Sequence, residues 1–333
     1  MDNLTHSAIG LFLSRAGLNR LTPYATPILL LAANAPDVDV VTSAGGSLNY
    51  LHYHRHITHS WLLLPVLAVI SVAVVRAFAR KPVRWGPAIL AACIGVASHL
   101  LLDWTNIYGV RMLLPFSGRW LRLDTTNVVD IWIWAVCLLG IAGPFLAGLV
   151  GSEIASGGAK GKHHGRGFAR FALLFVLLYT VSRGVVHARA VAALSSRMYE
   201  DAPPVRVLAS PDAVNPFAWR GLVETAGSYI VQEINFAAPD PMTVRPQVFH
   251  KPDPDPAIDA ARRSPTIQEF LRFSQFPLWR VTPWSAIENG RLVEVLDMRF
   301  GSPVAPGFMA SAVVNGLGQV TESRFHFGVP RPR

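Results

Sequence analysis

Apolar residues gather into blocks over the first part of the chain and alternate with polar ones over the last part. Two moderately apolar stretches come first, residues 4–17 and 22–35, each shorter than the roughly 20 residues that a full membrane crossing needs. The turn between them carries Arg15, Asn19 and Arg20, which predicts a short helical hairpin with His6 near its start and Asp37 just past its end, at one membrane face. Longer apolar runs at 61–78, 87–102, 128–150 and 171–186 predict four membrane helices. Beyond about residue 190 the long runs stop, prolines multiply and strand-like alternation begins. Residues 219–236 read as a hairpin around Ala226-Gly227-Ser228, Asn289-Gly290 and Asn315-Gly316 are further hairpin-turn signals, and residues 266–273 read as a short helix. The predicted architecture is an all-α polytopic membrane domain, residues 1–190, built from a short N-terminal helical hairpin plus four membrane helices. A mainly-β, α+β C-terminal soluble domain follows, residues 191–333.

Composition excludes an ordinary soluble protein: 51% of residues are hydrophobic, only 15% are charged, and the mean hydropathy is +0.33. The net charge of +9 does not point to nucleic acid, because the cations lie in short clusters between apolar runs, which fits membrane topology and a lipid surround. Arg76, Arg80, Lys81 and Arg84 form one cluster; Lys160, Lys162, Arg166 and Arg170 form another. By the positive-inside rule both loops face the cytoplasm. The opposite face then collects His6, Asp37, Asp39, His54, His56, His59, His99, Asp103 and Asp130, together with the C-terminal domain, which could cover a site or recruit a protein partner. The two cysteines, Cys93 and Cys137, sit in apolar segments and indicate neither a disulfide framework nor a thiolate zinc site. Met1-Asp2-Asn3 lacks the basic region of a cleavable signal, so the first segment is expected to stay attached.

Three polar groups stand out against this background. Tyr53-His54-Arg55-His56-Ile57-Thr58-His59-Ser60 packs three histidines before an apolar run, where Thr58 can cap the helix that follows. Such a cluster is either a set of metal ligands or the solvated flank of a membrane helix. His99 and Asp103, four apart, share one helix face and can chelate one ion or simply hydrogen-bond. In Asn34-Ala35-Pro36-Asp37-Val38-Asp39, Pro36 stops the second helix and supplies two carboxylates suited to a divalent cation, or to a turn.

Taken in order, Thr5-His6-Ser7-Ala8-Ile9-Gly10, Pro36-Asp37-Val38-Asp39, His54-Arg55 with Thr58-His59-Ser60, His99 to Asp103, Tyr108-Gly109 and Leu114-Pro115-Phe116-Ser117 resemble the YdjM-like family of inner-membrane metal-dependent hydrolases. These blocks cover roughly the first 130 residues; His56 stands where the family commonly has glycine. The resemblance implies a multi-pass protein of a bacterial-type inner membrane, with a bound divalent metal and hydrolysis by a metal-activated water. Its expected ligands are His6, Asp37, His59, His99 and Asp103, with Zn²⁺ the first choice, as one or two ions. His54 is a ligand or proton shuttle. Arg55 and Arg111 either clamp a phosphoester or lipid substrate or anchor to lipid head groups. Asp130 is a general base, a group behind the ligands, or a helix-start carboxylate.

A second class stays open: a non-enzymatic membrane protein with a structural metal site or ion pathway and a C-terminal interaction domain. The gathering of charges at helix ends favours a surface-facing site over an ion pathway. His250 and His326 read as surface or packing residues, Asp253, Asp255 and Asp259 as part of a Pro-rich linker, and His163-His164 as part of a solvated basic loop.

Overall fold

The computed structural model describes residues 1–154 and 164–328 and divides into two compact units. The first contains residues 1–39, 55–187 and 211–216; the second contains residues 40–54, 188–210 and 217 onward.

In the first unit, α1 (Asn3–Ala16) is capped by Asp2, whose carboxylate accepts from the Thr5 amide at 3.0 Å, and ends at Gly17 in a positive-φ conformation. The hairpin partner α2 (Ala25–Ala32) is shorter than expected, and a 3-10 segment, Ala35–Gly45, leaves it at 43° because Pro36 has no amide to continue the ladder. After α3 (Ser47–Tyr53), which belongs to the second unit, come α4 (Leu64–Phe78), α5 (Trp85–Thr105), α6 (Ile131–Ile154) and α7 (His164–Ser195). Among the described residues three helices, over Trp85–Thr105, Ile131–Leu149 and Gly165–Ser195, are long and apolar enough to cross a membrane; counting each of two bent helix pairs as one span raises this to five. The expected helix over 61–78 is therefore corrected: α4 has 15 residues and reaches crossing length only together with the segment before it, across an 89° bend. Thr58 does not cap α4 either. It lies in a 3-10 turn, Ile57–His59, and Ser60 Oγ accepts the Leu63 amide instead, at 3.3 Å.

Small residues set the helix spacing that the site depends on. A Cβ on Gly10 of α1 would stand 2.8 Å from the Leu29 carbonyl oxygen of α2, and one on Gly95 of α5 would stand 2.9 Å from the Ala32 Cβ. Backbones of α1, α2 and α5 thus approach as only glycine allows. Around them Phe12, Ile133 and Val136 form one core, and Ile28, Leu67, Val72 and Val96 another. Outward residues such as Leu138 and Leu177 remain exposed, as befits helices facing lipid.

The second unit holds two four-stranded sheets. β1 (Arg206–Pro211), β2 (Ala218–Glu224), β3 (Ser228–Asn235) and β4 (Gln247–His250) lie side by side in chain order. After α8 (Pro256–Ala261) and α9 (Pro265–Phe273), β5 (Pro277–Trp284), β6 (Gly290–Asp297), β7 (Phe308–Val314) and β8 (Val320–Phe327) form an antiparallel meander. Leu208, Leu222, Tyr229 and Val231 of the first sheet share a core with Leu278, Leu296 and Met309 of the second. The mainly-β character and the short helix are as expected, as are the hairpins at 226–228 and 289–290. The third hairpin, between β7 and β8, is present too, but Gly318, not Gly316, takes the positive φ, because Asn315 Oδ1 accepts from the amides of Leu317 and Gln319 and widens the loop. The Pro-rich stretch is also more than a linker, since Asp255 caps α8 through the Ala257 amide.

Candidate metal centre

Four predicted ligands converge in the first unit. Asp37 comes from the 3-10 segment after α2, His59 from the turn before α4, and His99 and Asp103 from successive turns of α5. One donor atom from each lies within 4.8 Å of the others. His59 Nε2 is 3.2 Å from His99 Nε2, 3.4 Å from Asp37 Oδ1 and 3.4 Å from Asp103 Oδ2; His99 Nε2 is 3.6 Å from Asp37 Oδ1 and 3.5 Å from Asp103 Oδ2. The side chains of His59, His99 and Asp103 are fully buried, and Asp37 alone keeps some exposure, 12%.

The partners of the far ring nitrogens fix the tautomers. His99 Nδ1 lies 2.7 Å from the Ala33 carbonyl, which caps α2 and can only accept, so Nδ1 carries the proton. His59 Nδ1 lies 3.1 Å from Thr58 Oγ1 and 3.3 Å from Asp39 Oδ2, and the Thr58 hydroxyl itself donates to Asp39. The His59 proton is therefore on Nδ1 as well. Both Nε2 atoms then present lone pairs to each other and to two carboxylate oxygens, which is repulsive unless a cation stands between them. Donors about 2.0–2.1 Å from a tetrahedral Zn²⁺ are about 3.3 Å apart, close to the spacings seen. The chemistry and spacing of the donor set fit a divalent ion.

His6 of α1 adjoins this set without completing it. Its ring stacks on His99 at 3.7 Å, its Nε2 is 3.5 Å from Asp103 Oδ1, and neither of its nitrogens has a hydrogen-bond partner among the described residues, although the side chain is fully buried. The Met1 ammonium also contacts Asp103 Oδ1.

Arg55 is placed as a brace. At a positive φ of 55°, it donates its amide to Asp39 Oδ2 at 2.8 Å, while its guanidinium reaches Asp103 at 3.0 Å, Asn106 at 3.0 Å and the Gly109 carbonyl at 3.1 Å. Arg111 lies over the Trp120 ring at 4.7 Å, and its amide meets the Arg55 carbonyl. The clustered donors do not include His56. His54 closes α3 in the second unit, where its ring stacks on Tyr50. Asp130 starts α6, accepting from the Trp132 and Ile133 amides and from the Tyr179 hydroxyl, none of them a cluster residue. In the second unit His250 meets Ser228 Oγ, and His326 lies on β8; His163 lies outside the described residues.

Sequence reasoning gave Asn106 and the Ala33 carbonyl no role. Asn106 Oδ1 accepts from the Arg55 guanidinium and from the Tyr108 amide, so it holds the brace that holds Asp103. Its place three residues after Asp103 was the available signal; a backbone carbonyl leaves none.

A family model described as YdjM inner membrane protein matches residues 1–190, and one described as YfhP C-terminal alpha/beta plait domain matches residues 256–328, which span α8, α9 and β5 to β8. An uncharacterized protein of Bacillus subtilis (strain 168), YfhP, is 26% identical over 320 residues, covering 91% of this chain and 88% of the relative. No solved structure matches. With more than half of its length matched, the chain belongs to the YdjM inner membrane protein family.

Proposed function

We propose that the protein is a multi-pass inner-membrane metal-dependent hydrolase of phosphoester or lipid substrates, with its metal centre and C-terminal domain on the extracytoplasmic side. Asp37, His59, His99 and Asp103 hold the ion, for which Zn²⁺ is the first choice. When bound, a divalent ion supplies Lewis acidity and an acidified water. Asp39 and the Ala33 carbonyl keep the two imidazoles in the ligating tautomer. Arg55 holds Asp103 and offsets its charge. The observation that carries a catalytic reading is His6: a third buried imidazole beside the four donors, with neither nitrogen hydrogen-bonded among the described residues, has no use in a closed four-ligand structural site. His6 Nε2, 3.5 Å from Asp103 Oδ1, can take a proton from water or return one to a leaving group.

One observation favours the alternative, a structural ion in a non-enzymatic membrane protein: every ligand except Asp37 is fully buried. Metal analysis of detergent-purified protein, paired with a hydrolase screen on phosphoester and lipid substrates, separates the two. On the enzymatic reading His6→Ala keeps its metal and loses about 10²-fold or more in turnover. Retained metal with no turnover on any substrate, and unfolding when a chelator removes the ion, would establish the structural role instead.

A further inference from the structure

The chain leaves the candidate metal centre at Asp39 and returns to it at Arg55, whose amide donates to the Asp39 carboxylate at 2.8 Å. That bond is the neck of a loop, and the residues between, 40–54, belong to the second unit. Within that unit α3 lies against α9 and β8. His52 Nδ1 meets Glu269 Oε1 of α9 at 2.8 Å, Ser47 Oγ donates to the Phe325 carbonyl, and the Tyr50 ring meets Phe327 edge-on at 6.1 Å. The two segments that supply Asp37 and His59 are thus the two ends of one arm whose middle is gripped by the C-terminal domain.

We propose that α9 positions the metal centre through this arm, with His52 and Glu269 as the positioning pair; this rests on the metal reading above. An ungripped arm samples many conformations, and binding an ion between its ends must then restrict them. Held as α3, the arm has met that cost before the ion arrives, so affinity is higher. The C-terminal domain accordingly acts on the membrane-embedded site through covalent continuity at residues 39 and 55, and anything that engages α9 changes how tightly the ion is held.

The test uses the full chain in detergent, with Zn²⁺ as probe and a competing chelator to read affinity. His52→Ala and Glu269→Ala should each weaken Zn²⁺ binding about fivefold, the effect of losing one part-exposed hydrogen bond of this kind. The double substitution should weaken it no further, since the two act through each other. Glu269→Gln, which keeps an accepting oxygen, should restore binding. Arg272→Ala, which removes another partner of Glu269, should leave it unchanged. If a truncated variant aggregates on gel filtration, Glu269→Lys replaces it and should weaken binding at least as much. Wild-type affinity in well-folded His52→Ala and Glu269→Ala overturns the proposal while leaving the metal centre intact. Undiminished Zn²⁺ binding in His99→Ala overturns the metal centre itself, and the proposal with it.

Discussion

His59 Nε2 and His99 Nε2 face each other across 3.2 Å while both rings direct their protons the other way, to the Thr58–Asp39 pair and to Ala33. Nothing in a neutral network stabilises two imidazole lone pairs at that distance. The same two atoms face Asp37 and Asp103, so the arrangement favours a cation between the four donors.

Removal of a ligand should therefore remove metal without removing the fold. His99→Ala and Asp103→Asn are each expected to lose bound metal while still inserting and eluting as wild type, because the apolar helix faces are untouched. His326→Ala, on a strand of the other unit, should keep its metal. Metal-to-protein ratio measured beside yield and gel-filtration profile decides this; unchanged metal in both ligand variants would leave His99 and Asp103 as a packing hydrogen bond.

Asp39 should matter nearly as much as a ligand. Asp39→Ala removes the acceptor for the Arg55 amide and the Thr58 hydroxyl and leaves His59 free to change tautomer. Metal affinity is expected to fall about 10- to 100-fold, the usual effect of losing a group that orients a ligating histidine. Chelator competition measures it, and an affinity within error of wild type would show that Asp39 orients nothing.

How much of this was legible in the sequence depends on which force acts. Burial in lipid and the two-residue period of strands write themselves into hydropathy, so the helical first part, the mainly-β second part and the three hairpins followed from pattern, though not the residue that turns the third. The i, i+4 spacing of His99 and Asp103 likewise places both on one face of α5. Not legible was the fate of residues 40–54, because the pairing of His52 with Glu269 joins residues distant in sequence. Nor could pattern show that Arg55 turns inward: its positive φ follows from the Asp39 bond, which no local propensity announces.

Helix spacing gives a steric prediction. Gly10→Ala and Gly95→Ala place a methyl against the Leu29 carbonyl and the Ala32 Cβ, atoms that cannot rotate away, and should destabilise by about 1–3 kcal/mol. Gly86→Ala, also in α5 but with no atom near its Cβ position, should be neutral or stabilising by up to about 1 kcal/mol. Thermal unfolding in detergent compares them. Equal melting temperatures for all three would contradict close packing of α1, α2 and α5.

The basic loops give an expected sidedness. With Cys93 and Cys137 replaced, single cysteines at Gly118 and Asp253 should react with an impermeant thiol reagent on intact spheroplasts, and a cysteine at Arg80 should react only after lysis. Labelling at position 80 but not at 118 would invert the topology.

The last prediction concerns acid stability of the C-terminal domain. Burial raises the Glu224 carboxyl, but hydrogen bonds from Lys251 Nζ at 2.8 Å and Arg206 Nε at 2.6 Å outweigh it and hold the group below its ordinary value of 4.5. A carboxyl whose folded pKa is depressed contributes stability that is fully present above its unfolded pKa and is lost as pH falls through the folded one. The contribution should therefore stand at neutral pH and fade from just above 4.5 downward. Glu224→Gln removes the titrating group, lowering the melting temperature at neutral pH and flattening its fall with acid. Melting curves from about pH 6 to about pH 3 test both halves. An acid slope in Glu224→Gln as steep as that of wild type would assign the sensitivity to other carboxylates and reduce the Arg206–Glu224–Lys251 cluster to a surface contact.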